Sequence, residues 1–280
     1  MQRWKLTLAY DGTGFHGWQV QPRLRTVQGT LAAALAGLTG EQVLPQGSGR
    51  TDTGVHALGQ VASFALKAPI PPENLKRALN RALPAAIRVL TAEHAAEGFH
   101  ARHGAVRKTY EYRIFECHPR TTAHERVCPP MLAPYAWDCP FQLDFDHLQQ
   151  AAEAVLGEHD FSSFAASDPD LAQRNALEPR SAVRTVLHSQ WNRESGLLVY
   201  QVSGTGFLHH MVRNLVGTFV EVARGRFAPS ETAQILAARN RALAGPTAPA
   251  QGLFLVSVEY PPDLVDTAVK AEATRTEATV

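Results

Sequence analysis

The sequence predicts an α+β fold in two halves, each a set of strands interleaved with amphipathic helices. Three observations carry this reading. Apolar residues alternate with period 2 near residues 3–10 and 105–115; they recur at helical spacing in other segments; and the same strand-and-helix style returns after an aperiodic stretch at 117–143 that holds five prolines. The division expected is an N-terminal domain at 1–103, a C-terminal domain at 104–260 and a disordered tail at 261–280, where Ala, Thr and scattered charges show no sustained period.

In the first half, Trp4, Leu6, Leu8 and Tyr10 alternate with Arg3, Lys5 and Thr7, the pattern of a strand with one buried face. Asp11-Gly12-Thr13-Gly14 turns the chain. Thr26 is placed to cap a helix in which Val27, Leu31, Leu35 and Leu38 share a face, ending at Gly40. A strand at 59–66 follows, then a helix at about 72–83 with proline at its start and Pro84 at its end. In the second half, residues 105–115 alternate so that Val106, Tyr110, Tyr112 and Ile114 share one face and Arg107, Glu111 and Arg113 the other. A helix at about 146–156 stopped by Gly157, strands at about 181–191 and 197–203, a helix at 208–224, another from Ser230 and a strand at 253–259 complete the reading. In the 208–224 helix, Met211, Leu215, Phe219 and Val222 form the apolar stripe, His209, Arg213 and Gly217 lie on a neighbouring face, and Gly217 admits a close backbone.

The 280 residues are 45% hydrophobic and 19% charged, enough apolar material for one large core or two moderate ones. No apolar run approaches the roughly 20 residues of a membrane span, and the N-terminus opens on a strand pattern instead of a signal peptide, so a cytoplasmic protein away from membranes is expected. Three widely spaced cysteines suit reduced thiols. The net charge of +1 conceals an asymmetry: residues 1–110 hold 13 Lys and Arg against 6 Asp and Glu, and the rest 14 against 20. A polyanionic partner fits this modestly, and so does an ordinary solvated basic face.

The most unusual stretch is Gly47-Ser48-Gly49-Arg50-Thr51-Asp52-Thr53-Gly54-Val55-His56, in which glycines frame an arginine and an acid. Residue types alone leave two readings: a loop whose backbone approaches a ligand, or a glycine-rich turn in which Arg50 and Asp52 cap neighbouring backbone groups. It lacks the Lys-Ser/Thr of a nucleotide phosphate loop and the glycine spacing of a dinucleotide fingerprint.

GSGRTDTGVHALGQVASF resembles the active-site signature of the tRNA pseudouridine synthase A family. Collinear matches extend the resemblance over most of residues 5–260: LAYDGTGFHGWQVQP and TVQGTL, RKTYEYRI at 107–114, HDFSSF at 159–164, GFLHHMVRNLVGTFVEVARGR at 206–226 and AGPTAPAQGLFL at 244–255. It implies two similar halves whose antiparallel sheets meet at a central cleft with helices outside. It also implies a homodimer sharing one tRNA, and isomerisation of uridine to pseudouridine at positions 38, 39 and 40 of the anticodon arm. Asp52 is then the catalytic nucleophile, Tyr110 the active-site tyrosine and Arg213 the basic partner of the aspartate. Detaching, turning and reattaching a uracil requires neither redox chemistry nor an energy donor, so no cofactor is expected and a carboxylate suffices as nucleophile. Burial favours the neutral acid, which a paired arginine offsets.

Tyr110 offers a flat ring to stack on an extruded base and a hydroxyl to relay a proton, although a core strand aromatic has the same spacing. Arg50 is a candidate to fill the gap left by a flipped base or to contact a phosphate. Thr53 departs from the alanine common after the aspartate. His118, His124, Cys128 and Cys139 raise the question of zinc, but no paired C-x-x-C spacing supports it and no metal is expected. Two rivals differ in class: an RNA-binding module without catalysis, and a glycosidic hydrolase, which ordinarily needs a second carboxylate.

Overall fold

The computed structural model describes residues 1–116, 127–166 and 181–265. In chain order the elements are β1 (Gln2–Tyr10), α1 (Val27–Thr39), β2 (Gln46–Gly47), β3 (His56–Leu66), α2 (Pro72–Ala82), β4 (Ile87–His94), β5 (Arg107–Phe115), β6 (Trp137–Asp138), α3 (Phe145–Glu153), β7 (Gly157–Asp160), β8 (Val183–Glu194), β9 (Leu197–Gly204), α4 (Met211–Ala223), α5 (Glu231–Ala238), β10 (Leu253–Glu259) and α6 (Pro262–Val265). They form two compact α+β units. The first comprises Met1–Lys108 and the chain from Leu255, the second Thr109–Phe254. The expected division by sequence order put 104–260 in one domain; the structure returns the last strand to the first unit.

In the first unit the strand order is β4-β1-β3-β10. β1 runs antiparallel to β3, with Trp4 opposite Phe64 and Leu6 opposite Ala62, and antiparallel to β4, with Thr7 opposite Thr91. The alternation read from the sequence is real: Trp4, Leu6, Leu8 and Tyr10 are buried, as are Val27, Leu31 and Leu35 of α1 and Leu75 and Leu79 of α2. Thr26 caps α1 by accepting the Gly29 amide at 3.3 Å, and Gly40 ends it in the left-handed region at φ 72. β3 is buried on both faces, which explains its nearly continuous apolar run. Val61 on its second face packs with Ala95, Phe99 and Ala101, and Val258, Tyr260 and Leu264 close that cluster. β10 fits here because Gly59 of β3 carries no side chain; a Cβ there would meet the Val256 carbonyl oxygen at 2.4 Å.

In the second unit the order is β5-β9-β8-β7, with β6 parallel to β5. β8 and β9 are antiparallel, placing Trp191 opposite Tyr200 with ring centroids 5.0 Å apart. Gln149 of α3 bonds both backbone groups of Trp191, its oxygen accepting from the amide at 2.9 Å and its nitrogen donating to the carbonyl at 3.0 Å. α4 is buried nearly all round, and Arg213 is the one residue of that helix outside its buried set. Asn214, Thr218 and Glu221 are therefore polar groups in the interior that need partners.

Several expectations shift. Tyr110, Tyr112 and Ile114 are buried as their alternation predicts, but Val106 at the mouth of the strand is 47% exposed. α4 starts at Met211 instead of 208 because His210 takes φ 59, which a right-handed helix cannot include. α3 stops at Glu153, and Gly157 opens β7, too short to show a period. Pro262–Val265 form a helical turn where an unstructured tail was expected, and residues 266–280 lie outside the described part. His118 and His124 of the zinc question also lie outside it, while Cys139 is buried and Cys128 half-buried. Among the described residues no helix is long and apolar enough to cross a membrane.

Candidate active site

The glycine-framed loop leaves the sheet at β2 and re-enters it at β3. Gln46 and Gly47 pair with Ser63 and Ala62, and the Ser48 amide donates to the Val61 carbonyl at 2.8 Å, so the loop starts from fixed backbone. Gly47 is required by packing: a Cβ would stand 2.5 Å from the Trp18 indole. At the far end, the Val55 amide donates to the Asp52 carbonyl at 3.1 Å, closing a turn whose third residue, Gly54, has φ 79. That is the position where a type II turn demands a positive φ. Asp52 opens this turn and is half-buried.

A buried polar network lies beneath the loop. The Ser48 hydroxyl donates to Gln60 Oε1 at 2.6 Å, Gln60 Nε2 donates to the Gly49 carbonyl at 2.9 Å, and the Tyr10 and Thr51 hydroxyls bond each other at 2.8 Å. Gln60 Nε2 also reaches the Tyr10 hydroxyl at 3.4 Å. Burial pushes the Tyr10 phenol up to about 12, against the lowering effect of its Thr51 and Gln60 hydrogen bonds. Lys108 adds an outer tie, its Nζ donating to the Ser48 carbonyl at 2.6 Å.

The segment after β1 holds the loop from the other side. The Trp18 amide donates to the Thr51 carbonyl at 3.0 Å, and a Cβ on Gly17 would come within 2.6 Å of that same oxygen. A Cβ on Gly12 would lie 2.0 Å from the Val55 carbonyl oxygen. The Gly12 amide donates to Nδ1 of the buried His56 at 3.0 Å. The same Nδ1 lies 3.3 Å from the Asp11 carboxylate. Asp52 thus sits on a backbone anchored at Thr51, Gly54 and Val55, while Arg50 on the same loop is exposed.

Tyr110 and Arg213 belong to the second unit. Tyr110, on β5, is 8% exposed and meets Phe207 edge-on, ring centroids 5.0 Å apart. Arg213, in the first turn of α4, is half-buried; its Nε donates to the Ala248 carbonyl at 2.8 Å, and the Ala248 amide donates to the Arg213 carbonyl at 3.1 Å. Tyr112, two residues beyond Tyr110, donates its hydroxyl to Pro249 at 2.7 Å, and burial holds its phenol well above the usual range. The sequence reading missed Gln60, Tyr10, Thr51 and Lys108 as loop supports. Gln60 carried the one available signal, a polar residue inside an otherwise apolar strand.

A family model described as tRNA pseudouridine synthase matches residues 7–103 and 151–261, spanning the loop of Asp52 and the helix of Arg213. The chain belongs to the tRNA pseudouridine synthase family. Curated relatives agree along nearly its whole length. A protein of Solibacter usitatus named tRNA pseudouridine synthase A is 51% identical over 93% of this chain and 100% of its own. One of Moorella thermoacetica with the same name is 45% identical over 91% and 98%. One of Bacillus pumilus, again so named, is 43% identical over 91% and 98%. Tyr110 falls between the two matched segments of the family model, and the relatives' coverage bridges that gap. A solved chain described as "Crystal Structure of a Cbf5-Nop10-Gar1 Complex" overlays with a TM-score of 0.31 at 12% identity, covering 77% of this chain and 54% of that one; a likeness of that size adds nothing. Members of this pseudouridine synthase family are isomerases, and the α+β architecture of both units accords with membership.

Proposed function

We propose that this pseudouridine synthase acts on uridines at positions 38, 39 and 40 of the tRNA anticodon arm, with Asp52 as covalent nucleophile. The observation that carries the reading is the anchoring of Asp52: a half-buried carboxylate opening a glycine-supported turn, on backbone held by Trp18 from one side and by the Tyr10–Thr51 pair from the other. A nucleophile that must meet one atom of a flipped nucleotide gains from such fixing, because orientation is settled before substrate arrives. Three routes use the same carboxylate: attack at ribose C1′, attack at uracil C6, or assistance to a glycal.

Tyr110 stacks on the extruded uracil and relays the C5 proton in this proposal, its ring held by Phe207. Arg213 keeps the aspartate ionised, and the exposed Arg50 fills the gap left by the base or holds a phosphate. The enzyme works in the cytoplasm as a homodimer. The test is release of tritium from tRNA labelled at uridine C5, with pseudouridines mapped by chemical modification and primer extension in cells lacking the gene. No release by the wild-type protein overturns the enzymatic reading, and free uracil in place of pseudouridine points to a hydrolase. A monomer in light scattering with tRNA bound overturns the dimer.

A further inference from the structure

The turn after α5 is bolted to α4 at unusually close range. Gly217 has Pro246 against it, so that a Cβ would fall 1.7 Å from the Pro246 carbonyl oxygen, and a Cβ on Gly245 would lie 2.8 Å from Thr218 Cα. The Thr218 hydroxyl donates to the Asn214 carbonyl at 2.8 Å and accepts the Gly245 amide at 2.9 Å. One side chain ties these contacts together. Arg241 Nη1 donates to the carbonyls of Gly245 at 2.9 Å and Ala244 at 3.3 Å, while its Nη2 donates to Asn214 Oδ1 at 3.1 Å and Thr247 Oγ1 at 3.2 Å. The Thr247 hydroxyl donates to the same Asn214 oxygen at 2.6 Å, and the Asn214 amide nitrogen donates to Phe164 at 2.8 Å.

Asn214 is fully buried and directly follows Arg213; Ala248 directly follows Thr247. The clamp therefore sits one residue from both ends of the Arg213–Ala248 pair. We infer that Arg241 is a positioning residue: its guanidinium holds the 244–247 turn against Asn214 and so fixes the Ala248 carbonyl to which Arg213 Nε is bonded. The inference rests on the role proposed for Arg213. A planar fork addressing four acceptors at once is a task for arginine that a lysine ammonium cannot match. With Nε committed to Ala248, the two terminal nitrogens of Arg213 keep a defined direction, and the fork loses that direction when the turn loosens.

The experiment compares R241M, R241K, T247V and R213Q, each alone and each of the first three combined with R213Q, by steady-state kinetics on tRNA across pH. R241M is expected to lower kcat by about 10- to 100-fold, the scale of a small misplacement of a catalytic group, with KM changed much less. It should also move the acidic limb of the kcat/KM profile to higher pH, as R213Q does, since a displaced Arg213 no longer favours the ionised acid. R241K should fail to rescue. T247V, which removes one hydroxyl and keeps the fold if R241M does not, should reproduce both effects at about 2- to 10-fold. Added to R213Q, none of the three should slow the enzyme further. Multiplying effects, or a fall in kcat with the acidic limb unmoved, overturn the inference and leave the role of Arg213 standing. If R213Q alone changes neither kcat nor the limb, the role of Arg213 is what fails, and the inference falls with it.

Discussion

Thr51 is the residue through which the first unit grips its neighbour Asp52, its carbonyl taking the Trp18 amide and its hydroxyl meeting Tyr10. The loop that carries Asp52 stood out in the sequence as glycines framing an Arg-Thr-Asp run, and the collinear blocks around it marked the family; the role of Asp52 itself remains a proposal. Thr51 and Gln60 were not legible as its supports. A hydroxyl or amide in a strand looks the same in sequence whether it faces water or a buried partner, and only the register that sets Gln60 beside Leu8 decides it. On the role proposed for Asp52, Asp52→Asn should abolish tritium release while tRNA affinity stays within a few fold, since a nucleophile contributes to chemistry more than to binding; filter binding and single-turnover assays on one preparation check this. Equal losses of binding and rate would contradict it.

Elements followed the sequence where a period or a cap specified them. α1 runs from its Thr26 cap to Gly40, α2 begins on Pro72, and β10 matches its expected range. β2 and β7, at two and four residues, are too short for periodicity to register, and the start of α4 turned on the backbone of His210 alone. Two glycines define predictions at this scale. Gly217→Ala places a methyl into the Pro246 carbonyl, and the overpacking should cost about 3 kcal/mol or displace the turn, seen as a lowered thermal midpoint. Gly54→Ala keeps the chemistry of every side chain but strains a backbone at φ 79, so about 1 kcal/mol of stability should be lost. A larger fractional loss of kcat than of tRNA affinity should accompany it, because the strain falls on the turn that presents Asp52.

Across the whole molecule, buried phenols make stability sensitive to alkali. Burial raises Tyr10 to about 12 and pushes Tyr112, Tyr200 and Tyr260 upward as well. The unfolded chain releases these protons near pH 10 while the folded chain keeps them, so their stabilising effect is complete below pH 10 and is lost as pH rises through the folded values. For Tyr10 alone the loss amounts to about 2 to 3 kcal/mol between pH 10 and 12. Urea titrations at pH 9 and 11 should show a shallower decline for Tyr10→Phe than for the wild type, even though the variant begins less stable for want of its Thr51 bond. At this scale the sequence revealed two α+β halves but not their strand order. Apolar alternation marks residues 253–259 as a strand and says nothing about which strand it joins.

That last strand carries a consequence for synthesis on the ribosome. The first unit contains the first 108 residues, but the place beside β3 is filled by β10, made after nearly all of the second unit. Until then β3 offers an open edge, ready to recruit a foreign strand, in the very element that anchors the loop of Asp52. Such a long-range closure is slow by nature. The nascent chain therefore depends on its final quarter to protect its first, and a stalled or truncated product ending before residue 253 should aggregate through that edge instead of accumulating as a half-formed enzyme.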